Sequence, residues 1–216
     1  MNQDHTTVVV QGESLEPFIH RGLTFKTIYA DPPYRFQNGG RRGSAARHYS
    51  TLSIDDICAL PVAELADDDA HLHLWCPNSL RNDAKRIIEA WGFSEEDSLL
   101  VWVKDGGLGL GTRWRINHEL MFHGSRGNLP FLDHAQPSYV IARRTKHSEK
   151  PEIVRQRIMR VSPPPYIELF ARNVVAGWSA WGNELGLEDS GVGRQQPRGK
   201  VGDKDKQIWI GQKENK

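Results

Sequence analysis

The chain has 216 residues, 38% hydrophobic and 25% charged, and its 28 Lys and Arg nearly balance 27 Asp and Glu for a formal charge of +1. That length suits one domain with a substantial core, and the near-zero charge gives no compositional sign of a nucleic-acid binder. No run approaches the ~20 apolar residues of a membrane span, the opening "MNQDHTTVVVQGESLEPF" lacks the pattern of a signal peptide, and a soluble cytoplasmic protein without membrane contact is expected.

In chain order, residues 1–22 read as a short N-terminal arm, and "FKTIYAD" (25–31) as the first strand. The "SIDD" stretch opens a helix in which Ser53 and Asp56 form a capping-box pattern, ending near Leu60 because Pro61 follows. A strand is expected over 70–76, "AHLHLWC". After Asn78 comes a helix with Leu80, Ala84, Ile87, Ile88 and Trp91 on one face, ended by Gly92. Strands at 98–104, 118–124 and 138–144 follow. A helix then starts at Pro151, buries Val154, Ile158 and Val161, and stops at "SPPP". The strand "YIELFA" (166–171) closes a domain expected over 1–187. Residues 188–216 read as a disordered or loosely attached tail, in which "IWI" offers a docking point. Alternating strands and helices without a repeat indicate an α/β layered fold.

Charge is segregated along the chain. Residues 35–50 hold Arg35, Arg41, Arg42 and Arg47 and no acid, whereas 51–70 hold six acids and no base. Such blocks suit a basic surface that meets phosphates and an acidic one elsewhere. Two glycine-rich, arginine-bearing stretches, "QNGGRRGSAARHY" and "KDGGLGLGTRWRINHE", read as a lid and a substrate gate. The glycines of the second do not form a dinucleotide-binding GxGxxG. The alternating His71 and His73 with Cys76 lack the ligands to complete a metal site, so no metal is expected. Cys58 and Cys76, too few for a disulfide framework, read as buried thiols.

The first strand runs into "ADPPY". In an open α/β sheet, ligands gather at the carboxyl ends of strands, where Asp31 would project. The two prolines fix φ and donate no backbone hydrogen bonds, so the turn is expected to be rigid and the Pro32 carbonyl free to accept one. Tyr34 adds a flat face beside these acceptors. A planar ring carrying an amino group fits: stacked on Tyr34, with two N–H donors on Asp31 and the Pro32 carbonyl. A nucleobase with an exocyclic amine is such a ring.

"DPPY" resembles the catalytic motif of methyltransferases that use S-adenosylmethionine to methylate exocyclic amines of nucleic-acid bases. "HYSTLSIDDICALPV", "HLHLWC", "LVWVK", "RINHELMFHGSRGN", "RRTKHSEKPEIV" and "YIELFARN" through "WGNEL" narrow the resemblance to the permuted adenine methyltransferase family typified by the catalytic subunit of the messenger-RNA enzyme, over about residues 25–185. The resemblance implies a Rossmann-like methyltransferase fold, a central mixed sheet flanked by helices. It implies S-adenosylmethionine as cofactor, S-adenosylhomocysteine as product, and a nucleic-acid partner. Asp31, Pro32, Pro33 and Tyr34 would be catalytic. Asp31, Lys150, Phe170, Arg172, Asn173 and Asn183 would bind the cofactor, Lys150 through its carboxylate. "ELFAR" resembles the family's first methyltransferase strand, which leads into the cofactor pocket, and Glu168 and Leu169 would support that strand. This chain has "ARNVV" where the family often has a His-Asn pair, and Asn173 would take over part of that contact.

Tyr49 would line the target-base pocket, and Arg41, Arg42, Arg47, Arg113 and Arg115 would meet phosphates. Asn117 and Glu119, beside His118, would face the substrate. Because an adenine amine is nearly non-basic and a sulfonium is already a strong methyl donor, the motif's task would be mostly positioning. The small size favours DNA over RNA as substrate. A non-catalytic nucleic-acid-binding subunit is disfavoured by the intact motif. A monomer and a dimer are both compatible with the sequence.

Overall fold

The computed structural model describes residues 7–35, 51–106, 113–144, 149–186 and the backbone of 207–209. Within these residues nine strands form one mixed sheet: β1 (Val8–Gln11), β2 (Phe25–Ala30), β3 (Ala66–Cys76), β4 (Ser94–Asp105), β5 (His118–Arg126), β6 (Tyr139–Arg143), β7 (Tyr166–Leu169), β8 (Trp178–Gly182) and β9 (Gln207–Trp209). Their order across the sheet is β6-β4-β5-β3-β2-β7-β8-β1-β9. β5 runs antiparallel to β3 and β4, and β9 antiparallel to β1; the other pairings are parallel. Among the described residues four α-helices accompany it: α1 (Glu16–Ile19), α2 (Ile54–Cys58), α3 (Arg81–Ala90) and α4 (Glu152–Val161). No described helix is long and apolar enough to cross a membrane.

Alternation along the strands divides the core between two faces. Ile28, Ala30, Leu72 and Leu74 pack with Ile57 of α2 and Ala84, Ile87 and Ile88 of α3. Tyr29, Trp75, Trp102, Met121 and Trp178 pack with Val154 and Ile158 of α4. The α2 capping box is present in both directions: the Asp56 N–H donates to Ser53 Oγ (3.1 Å) and the Ser53 N–H to Asp56 Oδ2 (3.0 Å). Gly92, at φ +79°, ends the α3 segment as expected. The last predicted strand stops at Leu169 rather than 171 because Phe170 turns to φ +62°.

Two strands in the described core were not expected. β1 lies in the supposed arm and pairs with β8, and β8 itself lies in "WSAWG". Of the expected tail, only 207–209 is described, paired antiparallel with β1. Cys76 is buried as expected, but Cys58 is only partly so.

His71, His73 and His123 cluster on the α4 face, His71 and His123 with centroids 4.8 Å apart. The Leu129 carbonyl can only accept, so His71 Nε2 carries the proton and donates to it (3.1 Å). His71 Nδ1 then accepts from the Ser162 hydroxyl (2.8 Å), whose oxygen accepts from His73 Nε2 (2.9 Å). Among the described residues no group of three or more His, Cys, Asp or Glu is arranged to hold a metal ion. Burial, then the neighbouring His71, push the His123 pKa down to about 4, and burial lowers His71 and His73 too.

An unfolded histidine binds its proton near pH 6.5, while folded His123 stays neutral until about 4. Stability is therefore expected to fall as pH drops from about 6.5 to 4, by about 3 kcal/mol from His123 alone. Urea unfolding at stepped pH tests this, because His123→Phe should flatten that part of the profile.

Candidate active site

α2 and α3 cover one face of the sheet and α4 the other, and a crevice lies at the carboxyl ends of the central parallel strands β2, β3 and β7. Asp31 emerges there as the first residue after β2. Its turn is clamped from behind: the Leu52 N–H donates to the Pro33 carbonyl and the Arg35 N–H to the Leu52 carbonyl, both 2.8 Å. The Tyr34 N–H folds back onto the Pro32 carbonyl (2.9 Å). That carbonyl is thus not free, as the sequence suggested, and a ligand amine would have to use its second lone pair. Tyr34 is only 5% exposed, and its hydroxyl donates to the Trp75 carbonyl (2.7 Å). The ring is a wall of the crevice more than the open stacking surface expected from sequence.

Trp75, near the end of β3, braces the site in three ways. Its carbonyl holds Tyr34, its indole N–H donates to the Tyr29 hydroxyl (2.7 Å), and its ring lies beneath the Lys150 ammonium, 5.3 Å from Nζ to centroid.

Four charges from four parts of the chain form a ladder. Lys150 Nζ donates to Asp31 Oδ2 (2.5 Å) and lies 3.3 Å from Glu119 Oε2, while Lys104 Nζ donates to Glu119 Oε1. The lysine side chains are 14% and 12% exposed, the two carboxylates 29% each. Burial works against charge on Glu119, but Lys150 and Lys104 outweigh it and hold its pKa below the ordinary value. Burial likewise opposes the Lys150 charge, yet Asp31 and Glu119 raise its pKa. Lys150, expected to meet a cofactor carboxylate, is therefore already shared by two protein carboxylates. Glu119, expected to face substrate, is built into the same ladder.

A cleft of about 400 Å³ brings together Asp31, Pro32, Pro33, Tyr34, Glu119, Lys150 and Arg172 from the expected set. Lys104 and His118, both within the stretch read as a substrate gate, also line it, as do Thr51, Trp75 and Asn78, to which the sequence gave no ligand-facing place. "LVWVK" does end in Lys104 at the sheet's active edge, which was the available signal. Phe170, Asn173 and Asn183 are not among its walls. They stand beside it, where β7 and β8 end, with Asn173 and Asn183 exposed. Arg172 pairs with Glu184 (3.4 Å). Asn117 gives its carbonyl to the Lys104 N–H (2.7 Å), and Arg113 and Arg115 are exposed just before β5. Tyr49, Arg41, Arg42 and Arg47 lie outside the described residues.

The turn after β7 is held at close quarters. Phe170 packs edge-on to Trp181 at 5.1 Å, and the Ala171 N–H donates to the Trp181 carbonyl (2.8 Å). A Cβ on Gly182 would sit 2.2 Å from the Ala171 carbonyl oxygen, so only glycine fits. Gly182→Ala is expected to cost about 3 kcal/mol because backbone must move. A urea midpoint equal to the parent's would contradict that packing.

The MT-A70 family model matches residues 25–184, most of the chain. The Type II methyltransferase M.MunI of Mycoplasma sp is 30% identical over 183 residues, covering 74% of this chain and 78% of that protein. The human N(6)-adenine-specific methyltransferase METTL4 is 30% identical over 193 residues, 79% of this chain and 39% of its own length. The N6-methyladenosine RNA methyltransferase MTA1 of Cryphonectria parasitica is 25% identical over 182 residues, 78% of this chain and 54% of its own.

Proposed function

Because this chain belongs to the MT-A70 family of adenine N6 methyltransferases, we propose that it moves a methyl group from S-adenosylmethionine to the exocyclic amine of adenine in DNA. The observation that carries this reading is the Asp31-Pro32-Pro33-Tyr34 turn on the wall of an open cleft, with Asp31 beside the buried ammonium of Lys150. DNA is chosen over RNA because the relative this chain matches over 78% of its length is a type II methyltransferase, whereas the RNA-named relative is covered over 54%.

The donor set suits the cofactor. The cleft's volume lies within the range of small-molecule sites, Lys150 and Arg172 offer cations to a carboxylate, and Asp31 offers an acceptor to an ammonium. When bound, the cofactor supplies an electrophilic methyl on a positively charged sulfur. The chain's own residues supply orientation. Lys150 occupies Asp31 Oδ2 and leaves Oδ1 for an N–H of the amine, and the second lone pair of the Pro32 carbonyl can take the other. Held by both, the amine nitrogen is turned so that its lone pair points into the cleft. Asp31 is also the acceptor to which the amine proton can pass after transfer. Pro33, Tyr34 and Trp75 supply walls against which the ring can be held.

The test is to express the protein in cells lacking adenine methylation and to measure 6-methyladenine separately in digested DNA and RNA. The mark is expected in DNA. Its appearance in RNA alone would reassign the substrate, and its absence from both would overturn the activity.

A further inference from the structure

Six tryptophans lie among the residues whose side chains are described, and five are buried: Trp75, Trp91, Trp102, Trp178 and Trp181 are at most 3% exposed. Trp114 is 96% exposed. A ring of that size left in water is an outlier for a soluble domain, where large aromatics are mostly covered.

Its position supplies the reason. Arg113 and Arg115 flank it, both exposed. Two residues on, Ile116, itself 43% exposed, lines the cleft, followed by His118 and Glu119 on the same wall. Two residues span at most about 7 Å of chain, so Trp114 stands at the cleft's mouth. The segment is anchored there, since the Asn117 carbonyl accepts from the Lys104 N–H at 2.7 Å. A protein partner spread over Trp114 would cover the entrance the substrate needs. A nucleic-acid strand delivering one base to the cleft would instead run past the ring, with guanidiniums on either side for its phosphates.

We propose that Trp114 is a substrate-positioning residue that stacks on a nucleobase neighbouring the target adenine. The inference rests on the nucleic-acid reading above and adds to it a specific contact outside the cleft. Every base has a π face, so the contact would strengthen binding with little regard to sequence.

The experiment compares wild type, Trp114→Ala and Trp114→Phe on fluorescein-labelled DNA and RNA oligonucleotides of mixed sequence containing one adenine. It repeats the DNA series with an abasic nucleotide on either side of the adenine. Trp114→Ala is expected to weaken binding roughly 10- to 100-fold and Trp114→Phe only a few-fold, with S-adenosylmethionine affinity unchanged in both. An abasic neighbour should weaken the wild type about as much and add little to Trp114→Ala, because both changes remove the same contact. Acrylamide quenching of the exposed-tryptophan emission should fall when the oligonucleotide binds wild type.

If wild type binds neither DNA nor RNA, the proposed function itself fails. If it binds and Trp114→Ala binds within two-fold of it, the stacking role is wrong and the function stands. A change in oligomeric state with unchanged oligonucleotide affinity would make Trp114 a protein contact and likewise overturn the proposal.

Discussion

Asp31→Asn is expected to lower the methyl-transfer rate about 10³-fold while leaving the protein folded. The substitution keeps the side chain's size but replaces an acceptor-only carboxylate with an amide. Its NH₂ would face either Lys150 or the substrate amine, and both are donors. Lys150 keeps its second partner, Glu119 at 3.3 Å, so the ladder is shortened rather than broken. Losing one preorganised group at a reacting centre is worth a factor of this order. Single-turnover rates at saturating cofactor, with thermal melting as control, decide the matter. A variant within ten-fold of wild type would remove Asp31 from the chemistry.

Lys150→Met should damage both stability and cofactor binding. It leaves Asp31 and Glu119, two partly buried carboxylates, facing one space without the cation they share. Removing one partner of a buried ion pair costs more than the pair itself contributes, and with the carboxylates 29% exposed the loss is placed at about 2 kcal/mol. The sign with pH is specific. The folded pKa of Glu119 is depressed, so its stabilising contribution is present above the unfolded pKa and is lost as pH falls through the folded value. The gap between Lys150→Met and wild type should therefore be widest near neutrality and close under acid conditions. The double variant Lys150→Met/Glu119→Gln should recover part of the loss at pH 7. Equal urea midpoints at pH 7 would show that the ladder contributes nothing. Calorimetry should also show S-adenosylmethionine binding weakened by roughly 1–3 kcal/mol, the value of a charge-assisted hydrogen bond.

Local signals carried the helices and the central strands. The Ser53–Asp56 box, the one-sided spacing through Trp91 and the proline stop after Val161 are each written in neighbouring residues, and each appears in the fold. β1 and β8 are different. "VVVQ" is four residues long and "WSAWG" has no alternation, and they become strands by pairing, β8 with β7 on one side and with β1, about 170 residues away, on the other. The site divides the same way. The Asp-Pro-Pro-Tyr turn is a contiguous motif, but the contact between Asp31 and Lys150 spans 119 positions. Spacing offered no hint that Lys104 and Glu119 would complete the ladder. The Pro32 carbonyl misled because sequence shows which groups can accept a hydrogen bond, not which are already engaged by a tight turn.

Trp75 ties the Asp-Pro-Pro-Tyr turn to the sheet from both sides, through Tyr34 toward the α2 and α3 face and through Tyr29 toward α4. The position of Asp31 is thereby set by the sheet rather than by the segments that follow the turn in sequence. A chain that exchanged residues 36–50 or 107–112 for those of a relative would still carry Asp31 on a strand fixed by its neighbours, since β3 and the Leu52 bridge hold the turn without those segments. Exchange of either segment is therefore expected to leave the Asp31 turn, and with it the proposed methyl-transfer step, in place. Substitutions at Trp75 itself should have no such latitude.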